Sequence, residues 1–239
     1  MIPYIIINGV SSKSINGLLI QSLPPISKPP IRTSIEEIDG RDGDVVEVLG
    51  YGAYSKSITI GLYKDYNIDD IIEFFNSKGT IIFSNEQDKY YNFAIYELID
   101  FEKLIKFKTA TVTLHVQPFK YAADEKEIYN TYPSGTTKAN ISVRNSGNLY
   151  SKPTITVTGS GNVDILINNN QILTLALSSS GETIVIDAQS MNATDLNGNY
   201  LNRQVTGDYD DLILKSGVNL VTVNGDITSV IINNYSRWI

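Results

Sequence analysis

The sequence predicts a mainly β protein in two domains, and three observations predict it. Apolar and polar residues alternate at period two, as where Ile58, Ile60 and Leu62 interleave with Ser57, Thr59 and Gly61, the mark of a strand with one buried face. Glycine and asparagine pairs interrupt these stretches at short intervals, as tight turns require. The periodicity lapses over residues 121–137, YAADEKEIYNTYPSGTT, where charge, proline and glycine gather. That lapse marks a boundary between a first domain, residues 1–122, and a second, residues 138–239, with residues 123–137 as linker.

A chain of 239 residues buries enough apolar surface for two such domains without covalent staples. It has no cysteine, which removes disulfides, thiolate metal sites and a thiol nucleophile together. The formal charge of −7 argues against a nucleic-acid-binding surface, which would cluster Lys and Arg among aromatic residues. The opening MIPYIIINGV has an apolar run but no basic flank or cleavage site, and is too short to span a bilayer. It reads as a first strand, and no membrane insertion is expected.

In chain order, a strand is expected over Tyr4–Ile7, a turn at Asn8-Gly9 and a second strand over Leu18–Leu23. Pro24, Pro25, Pro29 and Pro30 then rule out a regular ladder and hold the chain extended, as an arm or a long connection. Gly40 and Gly43 bracket Arg41 and Asp42 in a tight turn, followed by a strand, the glycines Gly50 and Gly52, and the strand of Ile58 to Leu62.

One helix is expected over residues 67–78. Asn67 caps it, Asp69 and Asp70 suit its first turn, Ile68, Ile71, Ile72 and Phe75 form its apolar stripe, and Lys78 and Gly79 close it. A hairpin follows, with Thr80–Ser84 and Tyr90–Leu98 around Asn85-Glu86-Gln87-Asp88. Over Lys108–Gln117, Ala110, Val112, Leu114 and Val116 face inward, leaving the single histidine, His115, on the polar face beside threonines.

The second half reads as eight short strands: Asn140–Asn145, Thr154–Thr158, Val163–Ile167, Ile172–Leu177, Thr183–Ile186, Leu212–Leu214, Asn219–Val223 and Ile227–Asn233. Turn chemistry separates most of them, including Gly159-Ser-Gly161, Asn168-Asn-Asn170, Ser180-Gly181 and Asn224-Gly225. That spacing implies a β-sandwich of the jelly-roll kind.

Catalytic signatures are missing. There is no G-x-S-x-G elbow, phosphate-binding loop, H-E-x-x-H or dinucleotide fingerprint. Asp208, Asp210 and Asp211 around Tyr209 read as solvated loop acids, and His115 lacks a partner in sequence. No enzyme activity, metal or cofactor is expected. The loop over Asp187–Asp211 offers a second reading, a carbohydrate-binding module. Tyr200 and Tyr209 could pack on sugar C–H faces while Asn202, Arg203 and Asp208 pair with hydroxyls. Asn and Asp are also what ordinary loops are made of, and Trp238 is read as locking the chain end into the sandwich.

A Gly-Arg-Asp-Gly turn followed by a strand, a short helix and a hairpin resembles the distal tail protein family, structural proteins of long-tailed phages. Asn145-Ser-Gly-Asn148, Lys152-Pro-Thr-Ile155 and Gly217-Val-Asn219 look like the family's second domain. Their order and spacing carry the resemblance, which covers the whole chain. It implies a split-barrel or β-sandwich-like, ring-forming first domain with one α-helix, and a galectin-like second domain. It further implies a virion protein, assembled in the host cytoplasm, that forms a hexamer at the distal end of the tail. Whether two such rings stack as a dodecamer is open.

Such a ring would join the tail tube protein to baseplate hub or fibre proteins around a DNA passage, with no sequence-specific nucleic-acid contact. In the family an extension of the first domain links protomers. The corresponding contacts here would be Pro24, Pro25, Pro29, Pro30, Gly40, Arg41, Asp42, Gly43, Tyr51 and Tyr54. The alternative is an adhesion module for host cell-wall glycans. The family's sugar-binding versions carry large inserted modules for which this chain has no room.

Overall fold

The computed structural model describes residues 2–76 and 78–239, with residues 179 and 180 by backbone only. Met1 and Ser77, which fall in the expected first domain and helix, lie outside the described residues. The protein is mainly β, with 58% of residues in strands and 10% helical. It divides into two compact units, one running through Ala123 and the other over Asp124–Trp238.

In the first unit β1 (Ile5–Ile7) turns at Asn8-Gly9, both at positive φ, into β2 (Val10–Ser11), and β3 (Leu18–Ser22) follows. The chain continues through β4 (Ile31–Glu37), β5 (Asp44–Tyr51), β6 (Tyr54–Leu62), helix α1 (Ile68–Phe75), β7 (Lys78–Phe83) and β8 (Lys89–Ala94). Helix α2 (Phe101–Phe107) then leads into β9 (Thr109–Ala122). The strands of the main sheet lie in the order β2-β1-β7-β8-β9-β6-β3. β4 and β5 form a separate two-stranded sheet.

The expected alternation in β9 is observed: Ala110, Val112, Leu114 and Val116 are buried, whereas Thr111 and Gln117 are exposed. They pack with Ile58, Ile60, Ile81 and Phe83 in one core. Asn67 caps α1 as expected, accepting the Asp69 N–H at 3.1 Å. The helix is shorter than expected because Lys78 already belongs to β7. Its buried stripe is Ile71, Phe74 and Phe75, with Ile72 at the edge, 38% exposed.

One helix was expected; the described residues form two α-helices. In α2 the Asp100 carboxylate accepts the Lys103 N–H at 2.7 Å, Lys108 closes the helix in the left-handed region, and Leu104 is buried. Seven residues with one buried position give too weak a periodic signal to separate from loop.

In the second unit, β10 (Ile128–Asn145), β11 (Thr154–Ile167), β12 (Asn170–Asp187), β13 (Asn192–Thr194), β14 (Val205–Gly207) and β15 (Gly217–Asn233) form one curled sheet. Its order is β10-β15-β11-β12-β13, with β14 on β12. Arg237–Trp238 form the short β16.

Six of the eight expected short strands are the halves of three long ones. Gly159–Gly161, Ser180-Gly181 and Asn224-Gly225 are register shifts inside β11, β12 and β15, and the chain does not reverse there. Bulge and turn share the same residue chemistry, so sequence alone does not separate them. Leu212–Leu214 is no strand; Leu214 makes a single bridge to Ser151. Residues 128–137, expected as linker, are the first part of β10 and pair with β15, as in Ile128 opposite Ile232. Ile155, Val157, Val163, Ile165, Ile184, Val223 and Ile232 share the second core.

Candidate assembly surface

The feature of the first unit that its own core does not explain is the β4–β5 arm. Every residue of β4 is exposed, as are the first six of β5. The register places Thr33 opposite Val48 and Ile35 opposite Val46 on one face, with Ser34 opposite Glu47 and Glu36 opposite Val45 on the other. The first face therefore carries Ile35, Val46 and Val48 in open solvent, at 61%, 57% and 67% exposure. An isolated two-stranded hairpin is marginal in water, and a contiguous apolar face of this kind marks an interaction site.

The tip contains the predicted turn. Gly40 and Gly43 sit at φ +81° and +79°, a region that costs other L-residues about 1–2 kcal/mol, and the Arg41 N–H closes the turn on the Ile38 carbonyl at 3.1 Å. Near the base a register shift between Arg32 and Thr33 leaves Leu49 as the extra residue, with Gly50 at φ +118°. Tyr51 packs edge-on against Phe119, their ring centres 5.7 Å apart.

The proline segment leading into the arm is fastened to its own domain. Pro24 and Pro29 are buried, Pro25 and Pro30 exposed. Asn85 Nδ2 donates to the Pro24 carbonyl at 3.2 Å, Lys56 Nζ to the Pro25 carbonyl at 2.8 Å, and the Gly52 N–H to the Pro30 carbonyl at 2.8 Å. The stretch is thus a strap, with Tyr54 half-buried beside it.

Lys56 stands at the inward phase of β6, two residues before Ile58, and is only 4% exposed. Its ammonium reaches the Ser27 hydroxyl at 3.4 Å and lies 5.2 Å from the centre of the Tyr91 ring and 5.4 Å from that of Tyr54. Burial pulls its pKa below the ordinary lysine value, opposed by Glu86 and reinforced by Lys120. Glu86 accepts from Lys120 Nζ and from the Tyr91 hydroxyl, both at 2.6 Å. Burial pushes the Glu86 carboxyl up, but these hydrogen bonds and the charges of Lys120 and Lys89 together outweigh it and hold the group below its usual range. Burial first, and then the Glu86 carboxylate, push the Tyr91 phenol up. The period-two phase of β6 could have flagged Lys56, the lysine in a row of inward positions.

The candidate sugar-binding residues are largely taken up by folding their own loop. Asn202 accepts the Ala193 N–H at 2.6 Å and donates to Asn192 at 3.0 Å. Asp208 caps a 3-10 turn through the Asp210 N–H, and Tyr209 packs against the second core. Tyr200 and Arg203 are exposed. A groove of about 260 Å³ in this unit is lined by Asn168, Gln171, Asp211 and Lys215 among others, and by none of the five. His115 is half-buried, with its ring centre 5.4 Å from that of Tyr96. Among the described residues no group of acids and histidine could hold a metal ion, and no helix is long and apolar enough to cross a membrane.

The whole chain superposes on all of the crystal structure of the SPP1 Dit protein, described as a paradigm of the hub adsorption apparatus in phages infecting Gram-positive hosts, with a TM-score of 0.67 at 17% identity. The chain shares the fold of that hub protein. A chain of the phage P2 baseplate in its activated conformation with Ca matches at a TM-score of 0.52 and 8% identity, over 98% of both chains. The same baseplate with Sr gives 0.50 and 10%, over 98% of this chain and 97% of that one. No family model and no curated protein matches the sequence. At these identities the hub fold is what the chains share, and the identity of each side chain at the surface is this protein's own.

Proposed function

We infer that this chain is a structural subunit of a phage tail tip, acting by assembly and without catalysis. The observation that carries the reading is the end-to-end match of both units to a hub protein, with no part of either chain left over. In this reading the first unit closes a ring, a hexamer or two stacked hexamers, at the distal end of the tail. The ring joins tube proteins on one side to baseplate or fibre proteins on the other, and DNA passes through its centre. The exposed β4–β5 arm and the strap at its base supply contacts between subunits, with Gly40–Gly43 at the tip and Tyr51 and Tyr54 at the root. The net charge of −7 suits a passage that must not retain phosphates.

Light scattering after size exclusion tests the ring. The expected mass is near six or twelve times the 26.4 kDa of the chain, with rings visible by negative-stain microscopy. A monomer up to millimolar concentration, together with no antibody labelling at the tail tips of the phage that encodes it, overturns the reading.

A further inference from the structure

We propose that the Asn16-Gly17 turn of the first unit is a self-modifying site, where Asn16 loses its amide nitrogen and becomes isoaspartate or aspartate ahead of the other Asn-Gly pairs of the folded chain. The inference is independent of the assembly reading above. Water is the only co-reactant. The Gly17 backbone nitrogen gives up its proton and adds to Cγ of Asn16; the bond from Cγ to Nδ2 then breaks and releases ammonia, leaving a five-membered succinimide. Water opens that ring at either carbonyl, to aspartate or to isoaspartate, whose backbone runs through Cβ and Cγ. The net change is one water consumed and one ammonia released.

The attack needs a following residue without a side chain, a free backbone nitrogen and a free carboxamide, so the candidates are Asn8-Gly9, Asn16-Gly17, Asn197-Gly198 and Asn224-Gly225. The structure separates them. Asn8 is pinned at both ends of its carboxamide, accepting the Thr80 N–H at 2.9 Å and donating to the Lys78 carbonyl at 3.1 Å. At Asn197 the attacking group is engaged, because the Gly198 N–H donates to the Asp195 carbonyl at 3.1 Å. Asn224 is held in the ladder opposite Lys138 and Asp164. Asn16 is exposed, between the 3-10 turn Ser12–Ser14 and β3, and among the described residues neither its carboxamide nor the Gly17 N–H has a hydrogen-bond partner. Asp39-Gly40 and Asp42-Gly43 can close the same ring, but an ionised carboxylate repels the nucleophile and they react more slowly.

The product does not fit the turn in which it forms. The Leu18 N–H closes that turn on the Ile15 carbonyl at 3.3 Å, and the Gly17 carbonyl accepts the Tyr63 N–H at 3.0 Å. Isoaspartate lengthens the backbone by one carbon just before Gly17, where even an added Cβ would meet the Tyr66 side chain and the Asp65 carbonyl. Either product also sets a carboxylate in a groove lined by Asp70 and Glu73, with Asp69 on the same helix and no Lys or Arg among the lining residues. Lys13 is drawn away over the Tyr4 ring, 3.7 Å from its centre. Conversion therefore loosens the start of β3, an edge strand of the main sheet, and the first unit ages from this corner.

The test holds the full chain at mildly alkaline pH, below its melting temperature, and samples it over days by peptide mapping with fragmentation that separates isoaspartate from aspartate. Residue 16 should convert first, about tenfold faster than residue 197, the factor that one hydrogen bond on the attacking nitrogen is worth. In denaturant the rates at the Asn-Gly pairs should draw together. A different pair leading in the folded chain overturns the proposal, as does an equal lead of residue 16 in denaturant, where the fold contributes nothing. Amide exchange at Tyr63, whose N–H is held by Gly17, should accelerate in step with conversion. Asn16→Gln closes a ring only slowly and should keep that protection over the same period. Equal loss of protection in this variant would overturn the link between modification and loosening.

Discussion

Lys56 Nζ donates to the Pro25 carbonyl at 2.8 Å, bridging the inward face of β6 and the strap that precedes β4. A lysine so deeply placed bears a desolvation cost that an apolar residue would avoid. The gain is geometric: with Asn85 on Pro24 and Gly52 on Pro30, it fixes the root from which the arm departs.

Lys56→Met keeps the apolar stem and removes the donor. Global melting should hold or rise, because a buried charge is replaced by a side chain of similar length. Amide exchange at Gly52, whose buried N–H is held by the Pro30 carbonyl of the same strap, should accelerate about tenfold, equivalent to about 1.4 kcal/mol of lost protection. Unchanged exchange at Gly52 would remove the fastening role.

Glu86 gives stability a defined acid limb. Its folded pKa lies below the unfolded value of about 4.3, so its contribution is complete above that value and is lost as pH falls through the folded pKa. Melting temperature measured between about pH 6 and pH 3 should fall in the wild type, and Glu86→Gln should start lower at neutral pH and lose less across that window. Lys56 acts at the other end. Its depressed pKa means that the unfolded chain binds more protons between the folded value and about 10.4, so stability gains there as pH rises, and Lys56→Met should abolish that gain.

Valine at Gly40 and Gly43 should disable the arm and spare the domain. Nothing lies within 4 Å of an added Cβ at either position, so the cost is backbone strain, about 1–2 kcal/mol each. The hairpin should fray, association should weaken, and the melting temperature should stay within a few degrees of the wild type. Rings that form as readily as in the wild type would show that the tip plays no part.

Asn145 is the polar keystone of the second unit. Its amide donates to the carbonyls of Leu149 and Leu214 at 2.8 and 2.9 Å, and its oxygen accepts the Gly147 N–H at 2.9 Å, while the residue is 1% exposed. Asn145→Ala strands three backbone groups and should cost about 3 kcal/mol. Gly147→Ala should also be severe, because a Cβ there would meet the Arg237 backbone. Chemical denaturation of either variant checks this, and a loss under about 1 kcal/mol for Asn145→Ala would contradict it.

Much of the architecture was legible because burial imposes a period that sequence records. Ala110 to Val116 in β9 and the Asn67 cap of α1 stand where alternation and capping chemistry put them. The long strands of the second unit were not legible as such, since Gly159 and Gly225 look like turn residues. They are needed where strands bulge against each other: a Cβ on Gly159 would meet the Asp226 carbonyl, and one on Gly225 the Asn162 carbonyl. The tip of the arm was visible as Gly40 to Gly43, but its partner strand β4 was hidden, because a ribbon exposed on both faces need not alternate cleanly. The fastening through Lys56 depends on contacts between residues about thirty positions apart, which local pattern does not encode.

The three broken strands of the second unit carry a further consequence. In β11, residues 154–159 pair with 182–187, and residues 161–167 pair with 170–177, so one continuous run serves both ends of the curled sheet. The two ends share one backbone and one core, and this unit should melt as one block. The same continuity makes it intolerant of length change: a single residue inserted between a bulge and its hairpin would turn every inward side chain beyond it outward. Added length should therefore be tolerated best at the hairpin ends and in the exposed loop between β13 and β14, around residues 196–200, where new surface can be added without touching the sheet.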